Sequence, residues 1–220
     1  MKPRVFRNVL TASGALAGGW LVTAIVKVDG RAFGLSMASA YIGLFLIAGT
    51  LLIGPLNIAR GRPNPVSTHV RRDVGIWAGV VTLLHVAVGL QRHFRGDFAR
   101  YFFLFDGGSL LPIGVRLDLF GLANWVGLAG TLVCIVLLAL SNDRSLRRLG
   151  TRRWKSLQRG NYLLLPLVVC HGLAYQLQQS RGLPWVLVTV LITLVVLTLQ
   201  SLGVRVRSLR NGLASESIKR

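Results

Sequence analysis

The chain has 220 residues, 52% of them hydrophobic and 15% charged, and its mean hydropathy is +0.57. That balance excludes an ordinary soluble domain, in which about 25% of residues are charged. The formal net charge of +19 would suit nucleic acid, but no basic stretch is joined to an aromatic platform on a polar domain, so no nucleic-acid partner is expected.

Six runs free of Asp, Glu, Lys and Arg follow one another, at 8–26, 32–59, 74–91, 119–142, 160–180 and 182–204. Each has about 18 residues or more, enough to cross roughly 30 Å of hydrocarbon as a helix. They predict an all-α polytopic membrane protein, a six-helix transmembrane bundle forming a single domain. Its helices span about 8–26, 36–59, 74–92, 119–141, 160–179 and 183–204, and a polar tail covers 205–220. The first is the least apolar, since "TASGALAGG" is built of small residues. A cleaved signal peptide competes there; the length of the run, Lys27 after it and the lack of an A-x-A-like site favour a retained helix.

The segments between the runs alternate in charge. The N-terminus, 60–73, 143–159 and the C-terminus hold 19 Lys and Arg residues, and the opposite side holds 7. The positive-inside rule therefore places both termini in the cytoplasm, with the basic surface facing membrane lipid. The segment 94–117 mixes Arg and Asp with Tyr101, Phe102, Phe103 and Phe105, a composition that lies in the interface on the extracytoplasmic side. Glycine pairs at Gly14/Gly18 and Gly75/Gly79 have the spacing of close helix approach. Cys134 and Cys170 fall inside the fourth and fifth helices and read as packing residues. No G-x-G-x-x-G, P-loop or second domain appears.

The four histidines divide into two kinds. His69 follows "GRPNPVST" in a polar segment and reads as solvated; His93 stands beside Arg92 at the extracytoplasmic end of the third helix and reads as interfacial. His85 and His171 lie inside apolar runs, "VVTLLHVAVGL" and "LLLPLVVCHGLAYQ". A polar side chain at membrane depth is costly and takes a partner. One reading is a helix–helix hydrogen bond, which contributes about 0.6 kcal/mol in membranes. The other is a shared metal. His85 is 13 residues beyond Arg72 and His171 is 12 beyond Arg159, so on parallel helices both lie roughly 18–20 Å from the cytoplasmic edge. Two imidazoles at one depth suit the axial positions of a haem between the third and fifth helices. A bare zinc ion would want two further ligands. Ala78, Val81, Thr82, Val88 and Gly89 recur on the His85 face. Arg92 has the charge to pair with haem propionates, and Tyr175 and Gln178 point along the same exit from the His171 face.

"RRDVGIWAGVVTLLH" (71–85) and "RRLGTRRWKSLQRGNYLLLPLVVCH" (147–171) resemble the ferric reductase-like transmembrane domain family, and most nearly its MsrQ (YedZ) type, over roughly 36–205. The resemblance implies a haem b subunit in a bacterial cytoplasmic membrane, with His85 and His171 as iron ligands. It implies a cytoplasmic flavin reductase or a quinol as donor, with quinone or FMN as a further cofactor, and a periplasmic redox partner as acceptor. Arg71, Arg72, Arg153 and Lys155 are the candidate donor-docking residues. One position departs from the family pattern: Gln158 stands where a histidine is usual at the start of the fifth helix, so one haem is expected. An electron-transfer subunit of an oxidoreductase is thus weighed against a non-redox membrane protein, a transporter or accessory subunit whose helix histidines are hydrogen-bonded. All seven acidic residues lie in loops, at helix ends or in the tail, which disfavours a proton-coupled carrier.

Overall fold

The computed structural model describes residues 3–25, 31–61, 68–106 and 111–218. Its elements run α1 (Pro3–Ile25), α2 (Arg31–Ala59), α3 (Thr68–Phe94), α4 (Ala99–Phe102), β1 (Phe103–Phe105), β2 (Pro112–Val115), α5 (Leu119–Leu140), α6 (Asp143–Gln158), α7 (Asn161–Gln178) and α8 (Leu183–Ile218). Among the described residues four helices are long and apolar enough to cross a membrane, over Phe33–Ala59, His69–Phe94, Leu119–Leu140 and Leu183–Arg210. They make the chain an integral membrane protein.

The packing has the polarity that a lipid solvent dictates. Large apolar side chains point outward, among them Leu122, Leu132, Leu163, Leu191 and Leu194. Thr50, Asn124, Asn161, Gln176 and Thr189 are buried. In hydrocarbon the polar groups must find partners inside the protein, and each of these side chains makes at least one hydrogen bond, although Gln176 Oε1 is buried without one. Gln176 Nε2 donates to Tyr41 Oη and Thr189 Oγ1, each at 2.8 Å, which ties α7 to α2 and α8. Asn161 donates to the Thr50 hydroxyl, and Gln200 Nε2 to the Leu51 carbonyl at 2.5 Å. The central helix is α2, which packs on α1, α3, α7 and α8. Its Leu44, Ile47 and Leu51 form one core with Ala78, Leu164 and Val196.

Three elements differ from the sequence expectation. The basic segment 143–159 is a helix, begun where the Asn142 side chain accepts from Ser145 N at 2.8 Å. Gly150, at φ 68°, breaks it in two, a backbone conformation that glycine adopts without a Cβ penalty. The second half is fixed by Trp154, which is 6% exposed and donates its indole N–H to Leu140 O at 2.8 Å. The interfacial segment holds an antiparallel pair of strands, so the chain is mostly rather than wholly helical. Phe103 pairs with Val115 and Leu104 with Gly114, and the register slips before Phe105 meets Pro112, which has no N–H to give the ladder. Finally, α8 continues to Ile218 instead of ending near 204. Of the paired glycines, Gly75 faces Thr50 of α2 and Gly79 faces Leu138 of α5, while Gly14 meets nothing within 4 Å. Cys134 is buried in the core, but Cys170 is exposed on the outer face of α7 and does not pack.

Candidate functional site

Helical repeats on four helices turn one face each toward a common cavity of about 280 Å³. On α3 the face is Thr82, His85, Gly89 and His93, and on α7 it is Val168, His171 and Tyr175, continued by the C-cap residue Gln179. These spacings of three and four residues are one stripe of a helix. Phe33, Ser36 and Gly43 of α2 and Asn124, Gly127 and Thr131 of α5 complete the walls. At the hairpin end Tyr101 and Phe102 close over it. Tyr101 Oη donates to Leu90 O at 2.9 Å, and its ring belongs to a buried cluster with Phe102 and Phe120.

His85 and His171 face each other across this cavity, with ring centroids 6.3 Å apart and planes at 80°. Each ring is oriented by a backbone carbonyl of a neighbouring helix. His85 Nδ1 lies 3.0 Å from Ser36 O, and His171 Nδ1 lies 2.8 Å from Ala123 O. A carbonyl can only accept, so Nδ1 carries the proton in each neutral ring and Nε2 keeps its lone pair. Among the described residues neither Nε2 has a hydrogen-bond partner. Metal-ligating histidines are commonly held in this way, with the second ring nitrogen donating to a carbonyl. Among the described residues no group of three or more His, Cys, Asp or Glu side chains could hold a bare ion.

The His171 ring lies directly on the backbone of α5. A Cβ built at Gly127 would stand 2.6 Å from His171 Nδ1 and 2.8 Å from Cε1. Only glycine allows the ring this approach. Tyr175, whose ring centroid is 4.9 Å from that of His171, donates its hydroxyl to Asn124 Oδ1 at 2.7 Å.

The cavity has a cationic side. Arg92 and Arg181 lie over the same Phe33 ring, at 4.3 and 5.2 Å from its centroid. Arg181 is held by Gln179 Oε1, 3.1 Å from its Nε. Among the described residues neither arginine is ion-paired. Burial pushes the Arg181 guanidinium below its ordinary range, opposed by Tyr41 and Tyr175.

The structure thus gathers His85, His171, Arg92 and Tyr175 around one space. Other expectations are redistributed. Gln178 is not among the lining residues, because the cavity face of α7 passes through Gln176 and Gln179. Thr82 and Gly89 line the cavity, whereas Ala78 borders a second one and Val88 borders neither. His69 is exposed in the first turn of α3. His93 lines the cavity, but its Nε2 is engaged by Gln179 Nε2 at 3.1 Å. No known family model matches the chain, and no solved structure matches it.

Of the docking candidates, Arg153 is exposed on α6, while Arg71 and Lys155 line the second cavity. Arg72 is buried and ion-paired with Asp143, so it fastens α3 to α6 and is not an outward docking group. Gln158 bonds back to α5, its Nε2 lying 3.4 Å from both Leu137 O and Ser141 Oγ. Arg181, Asn124 and Gly127 were not singled out from sequence. Arg181 carried one signal, as the sole charged residue between the last two apolar runs.

Proposed function

We propose that the cavity between α3 and α7 holds haem b, with His85 and His171 as axial ligands, and that the protein is a membrane electron-transfer subunit of the ferric reductase-like kind. The observation that carries this is the spacing of the two rings. Imidazole nitrogens each about 2.0 Å from one metal, and each about 1.1 Å from its ring centre, put the centroids about 6.2 Å apart. The separation here is 6.3 Å, with both Nδ1 atoms already committed to carbonyls. Arg92 and Arg181 supply two cations for two propionates. Apolar and small residues at Gly43, Leu44, Leu128 and Val168 keep water from the faces of the ring.

Bound there, haem b supplies a one-electron couple whose potential depends on its ligands and burial. We place α1 and α7 in the bilayer as well, giving six spans with both termini in the cytoplasm of a bacterial cell. Electrons enter from a cytoplasmic flavin reductase or a quinol and leave to a periplasmic acceptor. The alternative, a non-redox membrane protein with hydrogen-bonded histidines, draws on the same two carbonyl bonds. Those bonds use Nδ1 alone and, among the described residues, leave both Nε2 atoms without a partner in two rings that line one cavity.

Purified in neutral detergent, the full chain should give a b-type reduced-minus-oxidised spectrum and about one haem per chain by pyridine haemochrome. No b-type signal overturns the proposal, and about two haems per chain overturn the single site. The Arg92→Gln, Arg181→Gln double variant should keep the axial ligation and its spectrum. It should lose haem on dilution about tenfold faster, measured by transfer to apomyoglobin.

A further inference from the structure

A second cavity, of about 260 Å³, lies at the α6 end of the bundle. Its inner lining includes the apolar Ile47, Ala78, Cys134, Leu137 and Leu164 together with Thr50, Ser141 and Asn161. Its mouth is ringed by Arg71, Arg72, Lys155, Arg159 and Arg207, drawn from α3, α6, the turn after α6 and α8. Five cations around one opening repel one another unless an anion joins them. Arg72 has Asp143; among the described residues Arg71, Lys155, Arg159 and Arg207 have no ion pair. The Arg72 side chain is 6% exposed, and its Nε is buried without a hydrogen-bond partner. A buried guanidinium N–H left unmatched costs free energy until an acceptor reaches it.

We infer that this cavity binds the phosphate headgroup of an anionic phospholipid, with the arginines on the phosphate and an acyl chain against the Ile47, Leu137 and Leu164 wall. Three features favour a lipid over a soluble anion. Behind the cations Ile47, Ala78, Cys134, Leu137 and Leu164 lie beside Thr50, Ser141 and Asn161, so an acyl chain has an apolar surface there that a free phosphate does not use. The site is bounded by α2, α3, α5 and α8, four helices long and apolar enough to cross a membrane, together with α6 and α7. Basic pockets between membrane helices bind anionic headgroups for the same reason. The site is independent of the haem proposal, since none of its charged residues borders the histidine cavity.

The test uses the full chain in neutral detergent, titrated with phosphatidylglycerol, phosphatidylcholine or inorganic phosphate and read by native mass spectrometry and by melting temperature. Phosphatidylglycerol should form a one-to-one adduct and raise the melting temperature, and phosphatidylcholine should do neither. Arg159→Gln with Arg207→Gln, both exposed positions, should weaken the adduct about tenfold or more. Arg148→Gln with Arg152→Gln, exposed but outside the cavity, should leave it unchanged. Equal weakening by the two pairs would mean diffuse surface attraction and overturn the site. Equal protection by inorganic phosphate would overturn the lipid assignment, as would an adduct with phosphatidylcholine of the same strength.

Discussion

The His85→Ala and His171→Ala chains are each expected to lose the b-type signal, while His69→Ala keeps it in full. The expectation is asymmetric for a physical reason. His85 and His171 stand across one cavity with ring centroids 6.3 Å apart, and each has one nitrogen fixed by a carbonyl. His69 is exposed at the start of α3 and borders neither cavity. Each Ala variant removes one ring nitrogen from the cavity and one hydrogen bond between helices, and the Ser36 or Ala123 carbonyl keeps its place within α2 or α5. Part of the loss could then be structural, so the decisive arm is rescue. Free imidazole added to either Ala chain fills the space left by the side chain and should restore a low-spin spectrum, which a misfolded chain would not recover. His93→Ala is the sharpest control. His93 borders the same cavity, but its ring packs against Phe120 at 5.2 Å and its Nε2 meets Gln179. Loss of signal in His93→Ala, with retention in His85→Ala, would show that the wrong pair had been chosen.

The parts of the fold legible in the sequence were those fixed by one-dimensional physics. A run without charge must be long enough to cross hydrocarbon, and each apolar run falls on a helix, the last of which continues past its expected end to Ile218. Elements set by tertiary contact were hidden. The 143–159 segment reads as a charged loop until Trp154 is seen donating to Leu140 O. The short strands depend on a partner strand, and α8 beyond 204 has no apolar period to announce it. The site divides in the same way. His85 and His171 are conspicuous as polar residues in apolar runs, whereas Arg181 and Asn124 acquire a role only when folding brings them beside Phe33 and Tyr175. The polar residues of α7 also explain why it is not among the four helices apolar enough to cross a membrane on composition alone. His171, Tyr175 and Gln176 lower its hydropathy, and each is turned toward the protein interior.

Gly127→Ala is expected to deplete haem by about tenfold or more while leaving the helices intact. The two halves of that statement have opposite causes. In the interior of a helix, replacing Gly by Ala is favourable by about 1 kcal/mol, so α5 itself gains. The added methyl group, however, would stand 2.6 Å from His171 Nδ1, well inside the contact distance of about 3.5 Å or more. The Ala123 carbonyl that holds this nitrogen is one turn earlier on the same helix, so the ring cannot clear the methyl group and keep its hydrogen bond. It must swing off α5, and the 6.3 Å spacing to the His85 ring changes. Gly130→Ala serves as the comparison: its Cβ would first meet Leu167 at 3.6 Å, an ordinary contact, so haem content should hold. Circular dichroism and the melting temperature report the helix, and the haem-to-protein ratio with the difference spectrum reports the ring. Wild-type haem content and spectrum in Gly127→Ala would show that His171 does not rest on α5, and the 6.3 Å spacing would lose its meaning as a ligand distance. Retained helicity by circular dichroism, together with loss of haem, is the combination expected of a displaced ligand in an intact fold.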